Sequence, residues 1–139
     1  MLMKKMNLSI KQVGKKENKM TSQELQNQLS QCYGTEHYYK DGLLPYLYTD
    51  GVKTFVEGAG AYWFLTELLS FIEIFKKNYM TVIKMTVKNE KADIELIDDN
   101  DKLVKTKHIS YTDCPDGEYR FYMYWQDMEK PTLIWYMEY

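Results

Sequence analysis

The sequence predicts an α+β domain in which three helices pack on one face of an antiparallel meander sheet of about five strands. Two features of the patterning carry this reading. Up to Asn78 the apolar residues recur at helical spacing; beyond it they alternate with polar residues along five short runs. Length is the third. At 139 residues the chain suits one domain, and a chain of this size buries roughly two-thirds of its unfolded surface, enough to fold without a metal or disulfide.

Residues 1–19 read as a basic extension and 20–139 as a single domain. Met1, Met3, Met6 and Met20 can each begin a protein. "MNLSIKQV" fits a short edge strand, and "GKKENK" is polar and charged, as linkers are. At Met20 the signals sharpen. Thr21 stands three residues before Glu24, the spacing of a capping box, and Met20 and Leu25 stand where a hydrophobic staple joins them. Leu25, Leu29 and Cys32 recur at helical spacing, and Gly34 suits a left-handed helix end. "GTEHYYKDGLLPYLY" then reads as a loop or extended connector. Thr49 or Asp50 caps a second helix whose Val52, Phe55, Val56 and Ala59 share a face, and Gly58 and Gly60 end it. A third helix runs from about Ala61 to Lys77, with Lys76 and Lys77 at the end that favours cations. The five strands follow in "MTVIKMTVKN", "ADIELI", "KLVKTKHISY", "EYRFYMYW" and "TLIWYMEY", the first two closing a hairpin at Asn89-Glu90-Lys91.

Composition narrows the function classes. Cys32 and Cys114 are the only cysteines, far apart and without CxxC spacing, which argues against zinc or a disulfide framework and for a reducing cytosol. No apolar run approaches a membrane span or a signal peptide. The net charge of −2 is uneven: six lysines against Glu17 give the first twenty residues +5, which leaves −7 for the rest. A body of that sign repels a phosphate backbone and suits the basic surface of another protein. Glu95, Asp98, Asp99 and Asp101 are the expected acidic contacts, and Tyr122, Tyr124, Trp135 and Tyr136 the expected aromatic anchors. Lys4, Lys5, Lys15, Lys16 and Lys19 are the expected contacts to RNA.

Catalytic readings are weaker. Gly58-Ala59-Gly60 lacks the third glycine of a dinucleotide loop, follows a helix and has no Gly-Lys-Ser/Thr after it, so glycine's backbone freedom at a bend explains it. His37, with Glu36 and Asp41 adjacent and Asp50 as a further acid, is the one candidate general base, with no nucleophile evident beside it. His108 stands on a strand, and two lone histidines make no metal site. Asp113 and Asp116 flank Cys114 and would raise its pKa. Asp50 and Asp113 end the two Tyr-Thr-Asp copies; each has a sufficient local task, at a helix start and in an Asx turn. No cofactor and no metal are expected.

Five motifs stand in order along the chain: Gly34-Thr35-Glu36-His37-Tyr38-Tyr39, Leu47-Tyr48-Thr49-Asp50-Gly51-Val52-Lys53, Ala59-Gly60-Ala61-Tyr62-Trp63, Ile109-Ser110-Tyr111-Thr112-Asp113-Cys114-Pro115 and Met137-Glu138-Tyr139. From about Leu25 to Tyr139 the chain resembles an uncharacterised family of small proteins from bacteria, phages and other mobile elements. It departs from that pattern at Cys114, at Met137 and in its lysine-rich start. The resemblance carries over no catalytic residue. It implies a genomic neighbourhood rich in short non-enzymatic inhibitors of host defence, anti-CRISPR proteins among them. The resulting expectation is a cytoplasmic binding protein that inhibits an RNA-guided defence nuclease. Two alternatives stand beside it: a small enzyme using Glu36, His37 and Asp50, and an accessory protein that oligomerises through sheet edges.

Overall fold

The structure, a computed structural model, describes residues 20–42, 44–125 and 130–139. The basic extension, with Lys4, Lys5, Lys15, Lys16 and Lys19, lies outside the described residues.

Helix α1 (Ser22–Leu29) begins as its sequence dictates: Thr21 Oγ1 accepts the Glu24 amide at 3.1 Å and Glu24 Oε1 accepts the Thr21 amide at 2.9 Å. Leu25 and Leu29 are buried against α2 (Asp50–Ala59). Gly58 allows the approach, since a Cβ there would sit 2.9 Å from Leu25 Cδ1 and 3.0 Å from Met20 Sδ. Gly60 closes α2 at φ 64°, so the Gly-x-Gly step is a packing contact followed by a left-handed cap. Gly34 does not end α1: the helix stops at Leu29 with Ser30 as its cap, and the Ser30 hydroxyl donates to the Asn27 carbonyl. The third helical run, residues 62–77, divides into α3 (Tyr62–Glu67), a 3-10 turn (Leu68–Phe71) and α4 (Ile72–Lys77).

Among the described residues seven strands form one sheet: β1 (Tyr38–Tyr39), β2 (Leu47–Thr49), β3 (Met80–Lys88), β4 (Lys91–Ile97), β5 (Leu103–Ile109), β6 (Gly117–Trp125) and β7 (Pro131–Trp135). Their order is β1-β2-β7-β6-β3-β4-β5, with β2 parallel to β7 and every other pair antiparallel. The α+β class and the five long strands agree with the patterning, while the pure antiparallel meander does not hold. Only β3, β4 and β5 run as a meander; β6 returns to the far side of β3, and β7 is flanked by β6 and β2. Alternation fixes which face a residue shows and leaves its neighbouring strand open. Burial decides that choice. β3 buries Thr81, Ile83, Met85 and Val87 and takes the centre, while β5 is exposed along almost its whole length and takes an edge. β1 and β2 are too short to show a period.

The helices cover one face. Phe55 of α2 meets Tyr119 at 4.8 Å and Phe121 at 5.1 Å between ring centroids, Phe64 of α3 meets Phe121 at 5.0 Å, and the Trp125 indole donates to the Phe75 carbonyl at 2.9 Å. These aromatic rings dominate the core. The opposite face is open except near β7, where a 3-10 turn (Tyr136–Glu138) and Tyr139 fold back over it.

Candidate functional site

Two places gather chemistry-bearing side chains. The first lies at the start of α2. Thr49 is its N-cap, but the cap comes from a residue far along the chain. Glu138 Oε2 accepts the Gly51 amide at 2.9 Å and the Thr35 hydroxyl at 3.2 Å; Glu138 Oε1 accepts the Thr49 hydroxyl at 2.6 Å and the Trp135 amide at 3.0 Å. A carboxylate at a helix N-terminus answers both the orphan amides and the helix dipole. Gly51 is required by space: a Cβ would lie 2.6 Å from Glu138 Oε1 and 2.7 Å from Trp135 Cβ.

Asp50 is filled in the same way. Its Oδ2 accepts the amides of Glu36 (2.8 Å) and His37 (3.0 Å), and its Oδ1 accepts the Tyr39 hydroxyl (3.0 Å) and faces His37 Nδ1 (3.2 Å). Burial works to raise its pKa, but these four donors outweigh it and hold the carboxyl below its ordinary value. Thr35, Glu36, His37 and Tyr39 of one motif, Thr49, Asp50 and Gly51 of a second and Glu138 of a third thus meet in one polar lock.

The enzyme reading finds its geometry here in part: His37 and Asp50 do converge. The groove beside them, about 400 Å3, is lined by residues 31–36 and Asp50 and includes Cys32. Burial pushes the Cys32 thiol up; a hydrogen bond from Thr54 opposes this, and the charges of Glu138 and Asp50 add to the rise. Its Sγ donates to the Gln28 carbonyl at 3.5 Å. A nucleophilic cysteine needs the opposite environment. With both carboxylates saturated, the arrangement holds a connector against a helix. Among the described residues no three of His, Cys, Asp and Glu group as a metal site. Asp113 belongs to a different turn, where Thr112 Oγ1 accepts the Cys114 amide at 3.1 Å and the Thr112 amide donates to the Glu90 carbonyl at 2.8 Å. Glu138 and Cys32 are the site residues that patterning alone did not single out, although Glu138 stands in one of the ordered motifs.

The second place is the open face of the sheet. Tyr122 and Tyr124 are half-buried on β6, and Tyr139 packs edge-on against both, 5.5 Å between centroids in each case. Next to them, Arg120 lies over the ring of exposed Tyr136, its guanidinium carbon 5.9 Å from the centroid. Register sets Lys84 of β3 directly across from Arg120 on one side and Glu95 of β4 on the other. Farther along, His108 Nδ1 lies 2.8 Å from Asp93 Oδ1.

The expected contact residues divide. Tyr122, Tyr124, Tyr136 and Glu95 stand on or beside this face. Trp135 faces the helices instead, 4% exposed and packed on Phe121, because an even count along β7 turns it inward. Asp98 and Asp99 are occupied: Asp99 accepts the amides of Tyr79 (2.7 Å) and Met80 (2.8 Å), and Asp98 those of Asn100 (2.9 Å) and Lys102 (3.0 Å). Asp101 is exposed at φ 64° in the same turn. Among the described residues no helix is long and apolar enough to cross a membrane.

Residues 23–139 match a family of unknown function, DUF6876, and the chain belongs to that family. No curated protein and no solved structure matches it.

Proposed function

We propose that this chain is a non-enzymatic binding protein that docks a larger protein through the open face of its sheet, and that its target is an RNA-guided defence nuclease of a bacterial host. The observation that carries the binding reading is a contrast in saturation. The polar groups around Asp50 and Glu138 are satisfied within the chain, whereas the open face presents Tyr136, Arg120, Lys84 and Glu95 to solvent or at partial exposure. Aromatic and arginine side chains on an accessible surface are the residue types that dominate binding energy at interfaces. The choice of target follows from the resemblance to small proteins of phages and mobile elements.

The test is co-purification and cleavage. The full chain is mixed with each of a panel of guide-loaded nucleases. The expected result is co-elution with one of them and loss of its target cleavage, abolished by Tyr136→Ala combined with Arg120→Ala. A panel cleaved at full rate with no co-elution removes the nuclease as target. Inhibition that survives the double variant removes the open face as the docking surface.

Oligomerisation through edges has one observation in its favour, the seven-residue exposed edge β5. Self-pairing antiparallel about Thr106 would set Lys105 against Lys107, a like-charge arrangement that guards edges.

A further inference from the structure

Between β3 and β6 the open face sinks into a hollow of about 330 Å3 whose lining includes Lys84, Thr86, Glu118, Arg120 and Tyr136. Lys84 and Arg120 are direct cross-strand partners. Like charges placed so are unfavourable in a sheet. Among the described residues neither has a carboxylate within ion-pair distance, although Glu95 stands across from Lys84 and Glu118 lines the same hollow. The Tyr136 ring lies against the Arg120 guanidinium. Stacking of this kind steadies the planar fork and leaves its in-plane N–H groups available for a two-oxygen acceptor.

Resting on the docking reading above, we propose that this hollow is a carboxylate subsite: Lys84 and Arg120 receive an acidic side chain of the protein partner. Charge decides between an acidic side chain and a nucleic-acid strand. The chain from residue 21 onward carries −7, and Asp93, Glu95 and Glu118 stand on or around the same face. Successive phosphates of a strand would meet those carboxylates. A single side-chain carboxylate meets Lys84 and Arg120 against one carboxylate of the lining, Glu118, so the two cations prevail over it.

The full chain, labelled with 15N, is titrated with the capped peptide acetyl-Tyr-Glu-Gly-amide and with its Gln counterpart. The glutamate peptide is expected to give saturable shifts at Arg120 Nε–Hε and the Thr86 amide. The Gln peptide, and the Lys84→Ala/Arg120→Ala variant with either peptide, should require at least tenfold more ligand. Equal responses to the two peptides overturn the subsite, as does the absence of any saturable shift. A tighter saturable response to an eight-residue oligothymidylate overturns it in favour of nucleic acid. A nuclease panel that is not inhibited removes the target named earlier and leaves a positive peptide result standing. Full inhibition by the Lys84→Ala/Arg120→Ala variant removes the subsite alone.

Discussion

Glu138 and Asp50, at the β1-β2-β7 end of the sheet, each receive four donors from their own chain, whereas Lys84 and Arg120, near its centre, face each other and, among the described residues, neither has a carboxylate within ion-pair distance. Both are concentrations of charge, and charge alone does not separate them. Saturation does. A carboxylate whose lone pairs are occupied by backbone amides stabilises a fold and has little left for a ligand, while unpaired like charges destabilise a fold and have their full capacity left. Substitutions in the two regions should therefore move stability in opposite directions.

The largest effect belongs to Glu138→Ala. It orphans the Gly51 and Trp135 amides and the Thr35 hydroxyl, and leaves the Thr49 hydroxyl only the longer bond to the Leu133 carbonyl at 3.4 Å. Hydrogen bonds to a charged group contribute about 1.5–3 kcal/mol each and are not additive, so a loss of about 4 kcal/mol is expected in urea denaturation. Glu138→Gln should fall between, because its amide group presents donors where the site already holds donors. A loss under 1 kcal/mol for Glu138→Ala would break the comparison at its stronger end.

Gly51→Ala comes next. The added methyl would have to displace the Glu138 carboxylate and Trp135 Cβ, and overpacking of this kind costs about 1–3 kcal/mol. Its effect should shrink in a Glu138→Ala background, since one of the clashing groups is then gone; simple additivity of the two would show that Gly51 is required for another reason.

The pH dependence gives a smaller signal. The Asp50 carboxyl is held below its ordinary 3.8 in the folded chain. A depressed folded pKa adds stability that is present above the unfolded value and lost as pH falls through the folded one. Acid unfolding below 3.8 should accordingly be less steep in Asp50→Asn than in the parent, as followed by far-ultraviolet circular dichroism.

How much of this was legible in the residues differs between the two regions as well. The helices and long strands announce themselves through period and through local chemistry such as the Thr21–Glu24 box, whose parts are three residues apart. The lock does not, because its members are separated by up to 103 residues and Glu138 shares no local pattern with the helix it caps. Only the fixed order of the motifs hinted that they belong together. The Lys84–Arg120 pair was invisible for a related reason: the meander expected from short links would have placed β6 beside β5, and the cation pair exists only because β6 returns to β3. Trp135 shows the reverse error, an aromatic assigned by residue type to a surface that strand parity denies it.

Lys84→Gln carries the smallest expected change and the sharpest contrast. Lys84 is half-buried on the central strand, opposite Arg120 and not engaged by Glu95 in an ion pair. Removing its charge relieves a direct cross-strand repulsion from Arg120 of the kind that amounts to about 0.2–1 kcal/mol, offset in part by the lost attraction of Glu95 on the other side, while glutamine keeps the inner two of the four lysine methylenes over the neighbouring surface. Stability in urea should rise by about 0.5 kcal/mol, and the gain should fade as salt is added, because screening weakens the repulsion in the parent. A site that lowers stability when intact is what binding surfaces tend to show, since their charges are arranged for a partner that the isolated chain lacks. If Lys84→Gln instead lowered stability by 1 kcal/mol or more at every salt concentration, Lys84 would belong with Glu138 as a structural residue, and the open face would have lost its claim to an unfilled site.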